Sequence, residues 1–186
     1  ALVALVLGSL ATGCSGPKPI HHYEPQVVAK QVRQASSQRS DLVLAIEDFS
    51  AGSAYDDQRM VYRAADYRFD YYHFHRWASP PGMLVSDTLR EVYRDTGAFR
   101  SVVGGYDSRA DIILSGRVIA FEEVDKKDNW FGRVIINLRV RDSRTGELLW
   151  NDTVEREHPM PEKTPRGLAS AISSGLTDIG IATTDA

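Results

Sequence analysis

The spacing of apolar positions changes along this chain, and each spacing predicts an element. Leu42-Val43-Leu44-Ala45-Ile46 is an unbroken apolar run ended by Ala51-Gly52-Ser53, as expected of a strand covered on both faces. Met60-Val61-Tyr62-Arg63 and Tyr67 to Phe74 read as two further strands, with Ala64-Ala65-Asp66 as the turn between them. Period two places Phe69, Tyr71, His73 and His75 on one face. Ser79-Pro80-Pro81 then opens a helix, with Ser79 as the N-cap and Pro80 in the first turn. Val85, Leu89 and Val92 form its apolar stripe, and Gly97 ends it. Asp111 to Phe121 is apolar on both faces. Arg133 to Arg141 alternates, with Val134, Ile136, Leu138 and Val140 on one side. Ser143-Arg144-Thr145-Gly146 turns the chain into Leu148–Glu155. Thr164-Pro165 caps a last helix striped by Leu168, Ile172, Leu176 and Ile179. The pattern predicts an α/β fold in which a mixed, largely antiparallel sheet packs with about two helices.

The front of the chain has a different pattern. Nine of its first thirteen residues are Ala, Val or Leu and none is charged. A bilayer-spanning helix needs about 20 apolar residues, so this run is too short to span but has the length of a signal-peptide core. It starts without Met and without a basic lead-in, so residues 1–13 are read as a signal peptide clipped at its start. Leu10-Ala11-Thr12-Gly13-Cys14 resembles a bacterial lipobox, with small residues ahead of the sole cysteine. One position departs from that pattern: Ala11 stands where Leu is usual. Cys14 is the expected lipid attachment site, its sulfur taking the diacylglycerol and its new N-terminus an acyl chain such as palmitate. Several acyl chains anchor firmly, at about 0.8 kcal/mol per buried methylene. Ser15 is the expected sorting residue, because Asp at that place commonly retains a lipoprotein in the inner membrane. Ser15 therefore predicts an outer-membrane lipoprotein facing the periplasm.

Residues 14–40 follow as a lipidated cysteine and flexible tether, rich in Ser, Gln and basic residues and carrying Pro17, Pro19 and Pro25. Fully extended, the tether reaches at most about 85 Å. Tyr23-Glu24 is a candidate short edge strand within it. Residues 41–186 are expected to form a single periplasmic α/β domain.

Composition narrows the chemistry. The chain has 186 residues, is 42% hydrophobic and 25% charged, and carries a net charge of −3. It can bury a core, and its charge balance argues against a nucleic-acid partner held by bulk charge. With one cysteine, no disulfide forms within the chain. No Gly-x-Ser-x-Gly elbow and no phosphate-binding glycine loop occur, so no catalytic residue and no cofactor is expected. His73-x-His75 and His21-His22 are histidine pairs without a third ligand at characteristic spacing, so no metal is expected. The charge run Glu122–Asp128 reads as a solvated hairpin loop. Beside it, Trp130 and Phe131 read either as packing at a strand start or as a partner contact.

Several stretches in order are similar to one family. Arg59-Met60-Val61-Tyr62-Arg63, Tyr71-Tyr72, Trp77-Ala78-Ser79-Pro80-Pro81, Gly97-Ala98-Phe99, Ala110-Asp111 and Thr145-Gly146 together resemble the ABC-type transport auxiliary lipoproteins, the PqiC-like group. Tyr23-Glu24-Pro25 resembles that family's first short strand, though its usual Leu is absent. The resemblance covers nearly all of the chain after Cys14. It implies that Val61, Tyr62, Arg63, Trp77, Pro80, Gly97 and Phe99 are structural residues. It implies a fold similar to anticodon-binding-like α/β domains. It also implies a non-catalytic part in lipid transport between membranes, docking a periplasmic MCE-domain protein that works with an inner-membrane ABC permease and ATPase. Members of the group can form homo-oligomeric rings.

A second reading is kept beside it. Leu44-Ala45-Ile46-Glu47-Asp48-Phe49 resembles the first strand of CsgG-like or synthase-activating envelope lipoproteins, which serve assembly or regulation. Those proteins do not account for Val61-Tyr62-Arg63 followed by Trp77.

Overall fold

A computed structural model describes residues 16, 18–34 and 39–184; Cys14 and Ser15 lie outside them. In chain order the elements are β1 (His21–Tyr23), α1 (Ala29–Gln34), β2 (Val43–Ile46), β3 (Ser50–Ala51), β4 (Arg59–Ala65), β5 (Arg68–Trp77), α2 (Pro81–Thr96), β6 (Ser101–Gly104), β7 (Ile112–Lys126), β8 (Asn129–Asp142), β9 (Leu148–Pro159) and α3 (Pro165–Ala182). A single 3-10 turn, Ser53–Tyr55, separates β3 from β4.

The long strand β7 organises the sheet. One of its edges pairs antiparallel with β8 along the whole strand, from Ile112↔Asp142 to Lys126↔Asn129. Its other edge takes three short parallel partners end to end: β2 near Ile112, β3 at Arg117 and β4 at Glu122. Beyond β8 lies β9, beyond β2 lies β6, and beyond β4 lie β5 and then β1. The sheet is therefore mixed, as expected, and its long ladders are the antiparallel ones. Helices α2 and α3 pack on each other, with α3 on β8 and β9 and α2 beside β6 and β7.

Local patterning explains most of this. Val134, Ile136 and Leu138 of β8 and Leu168, Ile172, Leu176 and Ile179 of α3 are fully buried. Thr164 caps α3, its hydroxyl accepting from the Gly167 N–H at 3.1 Å. Gly97 ends α2 in the left-handed region at φ 66°, where a side chain is disfavoured.

Three expectations are corrected. Ser79 does not cap α2; Pro80 holds the cap position with φ −55° and ψ 141°. A residue before proline is pushed out of helical geometry, so Pro80, followed by Pro81, stays extended and the helix starts one place later. The run Glu122–Asp128 is not a solvated loop. Strand β7 continues through Lys126, Glu122 and Glu123 are buried, and only Lys127 and Asp128 turn, with Lys127 at φ 56°. The tether of 14–40 is also shorter than expected, because β1 and α1 fold onto the domain. Gln26 N–H donates to Ser173 Oγ at 3.0 Å and Val28 N–H to Thr177 Oγ1 at 3.1 Å, both on α3. Val32 is buried, and α1 contacts α2 and α3. Tyr23 lies in β1, which runs parallel to β5 in the register His21↔His75.

Candidate functional site

The residues with unusual chemistry gather where β4, β7 and β8 meet. Val61 lies opposite Glu122 on the β4–β7 ladder, and Arg133 lies opposite Glu122 on the β7–β8 ladder. Adjacent residues of a strand point to opposite faces, so Glu122 and Glu123 serve different surroundings.

The side chain of Glu122 is fully buried. Its Oε1 accepts from Arg63 Nε at 3.0 Å and from Arg133 Nη2; its Oε2 accepts from Arg63 Nη2 at 2.9 Å and from the Tyr55 hydroxyl at 2.7 Å. A carboxylate offers about four lone-pair sites, and all are taken. Burial by itself raises the Glu122 pKa, but the hydrogen bonds from Arg63, Arg133 and Tyr55 outweigh it and hold the group below its ordinary value. Burial, followed by the bond to Glu122, pushes the Tyr55 phenol well up. This carboxylate is an anchored anion with no free lone pair for a substrate proton, and it ties three strands and the 3-10 turn together.

On the other face Glu123 accepts from the Tyr72 hydroxyl at 2.6 Å. Burial pushes Glu123 above its ordinary value, with Asp125 adding to the rise against the pull of Tyr72 and Lys163. Tyr72 in turn meets Tyr62 edge-on, with ring centres 5.4 Å apart. Lys163 bonds Asp125 at 3.2 Å and lies 4.5 Å above the Trp130 ring. Trp130 and Phe131 are half-buried at the start of β8, and Trp130 packs against the core.

The remaining motif residues surround the core. Trp77 is fully buried and meets Phe121 edge-on at 4.9 Å, and its backbone N–H donates to the Gln58 carbonyl at 2.7 Å. Val61 is fully buried, and Phe99 meets Tyr93 edge-on at 5.9 Å. Strand β5 does not keep one face throughout. Between Arg59↔Arg76 and Val61↔Tyr71 its register shifts, and His75 turns to stack on His21 at 5.6 Å and to bond the Tyr23 hydroxyl at 3.1 Å. Phe69 and Tyr71 remain edge-on neighbours at 5.6 Å. Among the described residues no three His, Cys, Asp or Glu side chains gather as a metal site requires, and no helix is long and apolar enough to cross a membrane.

A recess of about 490 Å³ opens at the opposite end of the sheet, walled by Leu42, Leu44, Phe99, Leu114, Val140 and Trp150. Its lining carries no charged side chain. Tyr93 and Thr183 meet there through a 2.7 Å hydrogen bond, and burial pushes the Tyr93 phenol up to about 12.

Sequence reasoning brought Val61, Tyr62, Arg63 and Trp77 to notice but missed Tyr55, Tyr72, Glu122, Glu123 and Arg133 as partners. The signal was present in the two glutamates that directly follow Val118 to Phe121, an apolar strand with no turn residue between.

Comparison with known proteins agrees with the fold. Residues 24–181 match the family described as ABC-type transport auxiliary lipoprotein component. A Xanthomonas campestris protein of 19% identity superposes with a TM-score of 0.76, over 88% of this chain and 91% of that one. An uncharacterized protein of 13% identity superposes with a TM-score of 0.71, over 90% and 97%. PelC from Paraburkholderia phytofirmans, solved as a dodecamer, superposes at 0.52 with 14% identity, over 82% and 94%. At these identities the likenesses speak to the fold. No curated protein matches the sequence.

Proposed function

Because this chain belongs to the ABC-type transport auxiliary lipoprotein family, we propose that it is the non-catalytic lipoprotein of an intermembrane lipid transport system. Cys14 carries the lipid, Ser15 directs the protein to the outer membrane, and the domain faces the periplasm. There it docks an MCE-domain protein that works with an inner-membrane ABC permease and ATPase. Trp130 and Phe131 contribute to that contact. A ring of identical subunits is the form in which it docks; PelC, of like fold, was solved as a dodecamer.

The observation that carries this reading is the family match, which spans both the strap of residues 24–34 and the sheet behind it. The saturated Glu122 carboxylate agrees with it, since a group with every lone pair occupied suits scaffolding and not proton transfer. The test is copurification from cross-linked envelopes. Recovery of an MCE-domain protein is expected. Recovery of a peptidoglycan synthase or a secretion pore in its place overturns the proposal in favour of an assembly or regulatory lipoprotein.

A further inference from the structure

We propose that the outer edge of β5, from the hairpin tip at Tyr67 to Phe74, rests against the bilayer that holds the lipid anchor. The inference depends on the lipidation of Cys14 proposed above. Its argument begins with chain length. The domain starts at His21, seven residues after Cys14. Seven residues reach at most about 23 Å, far less than the span of a tether that continues to residue 40.

Direction adds to length. Strand β1 is parallel to β5, with His21 opposite His75. The chain leading into β1 therefore comes from the side where β5 begins. Lys18 is already there, with its Nζ 5.2 Å from the centre of the Phe74 ring. The step from His75 back to Arg68, the start of β5, is also seven residues. An anchor on so short a lead cannot hold the domain with this edge turned far from the membrane.

The exposed surface fits a lipid headgroup layer. Ile20, Phe69 and Phe74 are 53%, 40% and 41% exposed, and Tyr67 is completely so. A cation accompanies one of the rings, Lys18 over Phe74, whereas Arg63, 5.7 Å from the Phe69 ring centre, is held by Glu122. Aromatic rings with long basic side chains are the residues that settle at a membrane–water boundary, ring inward and charge toward the headgroups. Asp66 and Asp70 offset Arg68 and Lys18 around the tip, so ring insertion dominates over charge attraction.

Tyr67 supplies an independent observation. It sits in the left-handed region at φ 62°, where Gly or Asn is the favourable residue and a bulky side chain is an outlier. Its side chain is wholly exposed, so the fold gains no packing from it. A strained residue without an internal contact points to a use outside the chain. Along Arg68 to Phe74 the outer edge of β5 has no ladder partner among the described residues, since β1 covers only His75 to Trp77.

The test uses the lipidated protein reconstituted into vesicles of phosphatidylethanolamine and phosphatidylglycerol, with and without brominated acyl chains. A tryptophan reporter is introduced by Tyr67→Trp, and by Leu148→Trp as a control. Leu148 is exposed beside the Ile112 end of β7, whereas the hairpin tip lies beside the Glu122 end. Emission added by Tyr67→Trp is expected to shift blue and to be mostly quenched by bromine, and emission added by Leu148→Trp to be unaffected. Flotation with the vesicles but no quenching at position 67, or equal quenching at both positions, overturns the inference and leaves the anchor standing. Failure to float overturns the anchor and the inference with it. A second variant reads the same surface without a reporter. In the unlipidated Cys14→Ser protein, Tyr67→Gly is expected to raise the melting temperature while lowering vesicle binding severalfold; unchanged binding overturns the inference.

Discussion

Arg63 donates through Nε and Nη2 to the two carboxylate oxygens of Glu122, at 3.0 and 2.9 Å, and so joins β4 to β7 where their ladder is only three residue pairs long. The parallel ladder alone is a weak attachment for β4, β5 and β1. The fork of an arginine on a buried carboxylate makes it directional.

Glu122→Gln keeps the shape and removes the charge, leaving Arg63 and Arg133 against a neutral amide. Breaking a buried pair on one side costs about 3–5 kcal/mol. The variant is expected to lose stability of that order in denaturant melts at neutral pH. A loss below about 1 kcal/mol counts against the pin.

The same carboxylate sets an acid limit. Its pKa is lower folded than unfolded. Its contribution is therefore present above the unfolded value of about 4.3 and lost as pH falls through the folded value. Wild-type stability is expected to decline through that acid range, and Glu122→Gln to show a flatter decline in a series of melts.

Glu123 has the opposite sign. Its folded pKa is raised, so its contribution is present below the unfolded value and lost as pH rises through the folded one. Glu123→Gln still accepts the Tyr72 hydroxyl. It is expected to melt higher than wild type at pH 7 and at the same temperature near pH 4. Equal or lower stability at pH 7 rejects the assignment.

Gly82 lies in the first turn of α2, where an added Cβ would stand 2.1 Å from the Phe49 carbonyl oxygen. Backbone cannot yield as a side chain tip does, so Gly82→Ala must push α2 off β3. A loss of about 1–3 kcal/mol is expected from such overpacking. Trp77→Ala, which empties the fully buried site beside Phe121, is expected to lose about 3–5 kcal/mol. Retained stability with loss of partner binding would assign Trp77 to an interface.

Cys14→Ala tests the anchor directly. The variant is expected in the soluble fraction and the wild type with membranes. Retention of the variant on membranes after a carbonate wash rejects lipid anchoring.

Legibility followed range. The stripe Leu168, Ile172, Leu176 and Ile179 and the cap at Thr164 are set by neighbours within a few residues, and both are found where the sequence puts them. The cap of α2 is local too, since Pro81 keeps Pro80 extended and moves the cap one place past Ser79. Burial of Glu122 was not legible in this way. Its partners lie 59, 67 and 11 residues away, at Arg63, Tyr55 and Arg133, and the local run of charges looks the same whether or not they arrive. The strap of residues 21–34 is similar: Pro25 suits a loose lead, and the Ser173 and Thr177 hydroxyls that bind the Gln26 and Val28 N–H groups lie 147 and 149 residues away.

The sequence by itself determined helices α2 and α3, most of the longer strands, the mixed sheet, the family and the expectation of a lipid at Cys14, because periodicity and short motifs are written in adjacent residues. The tertiary structure alone decided that two glutamates of a charged run are buried in opposite senses. It also decided that folded structure begins at His21, seven residues after Cys14. Desolvation and hydrogen-bond partners depend on which strands meet, and strand pairing across the chain is a property of the folded sheet.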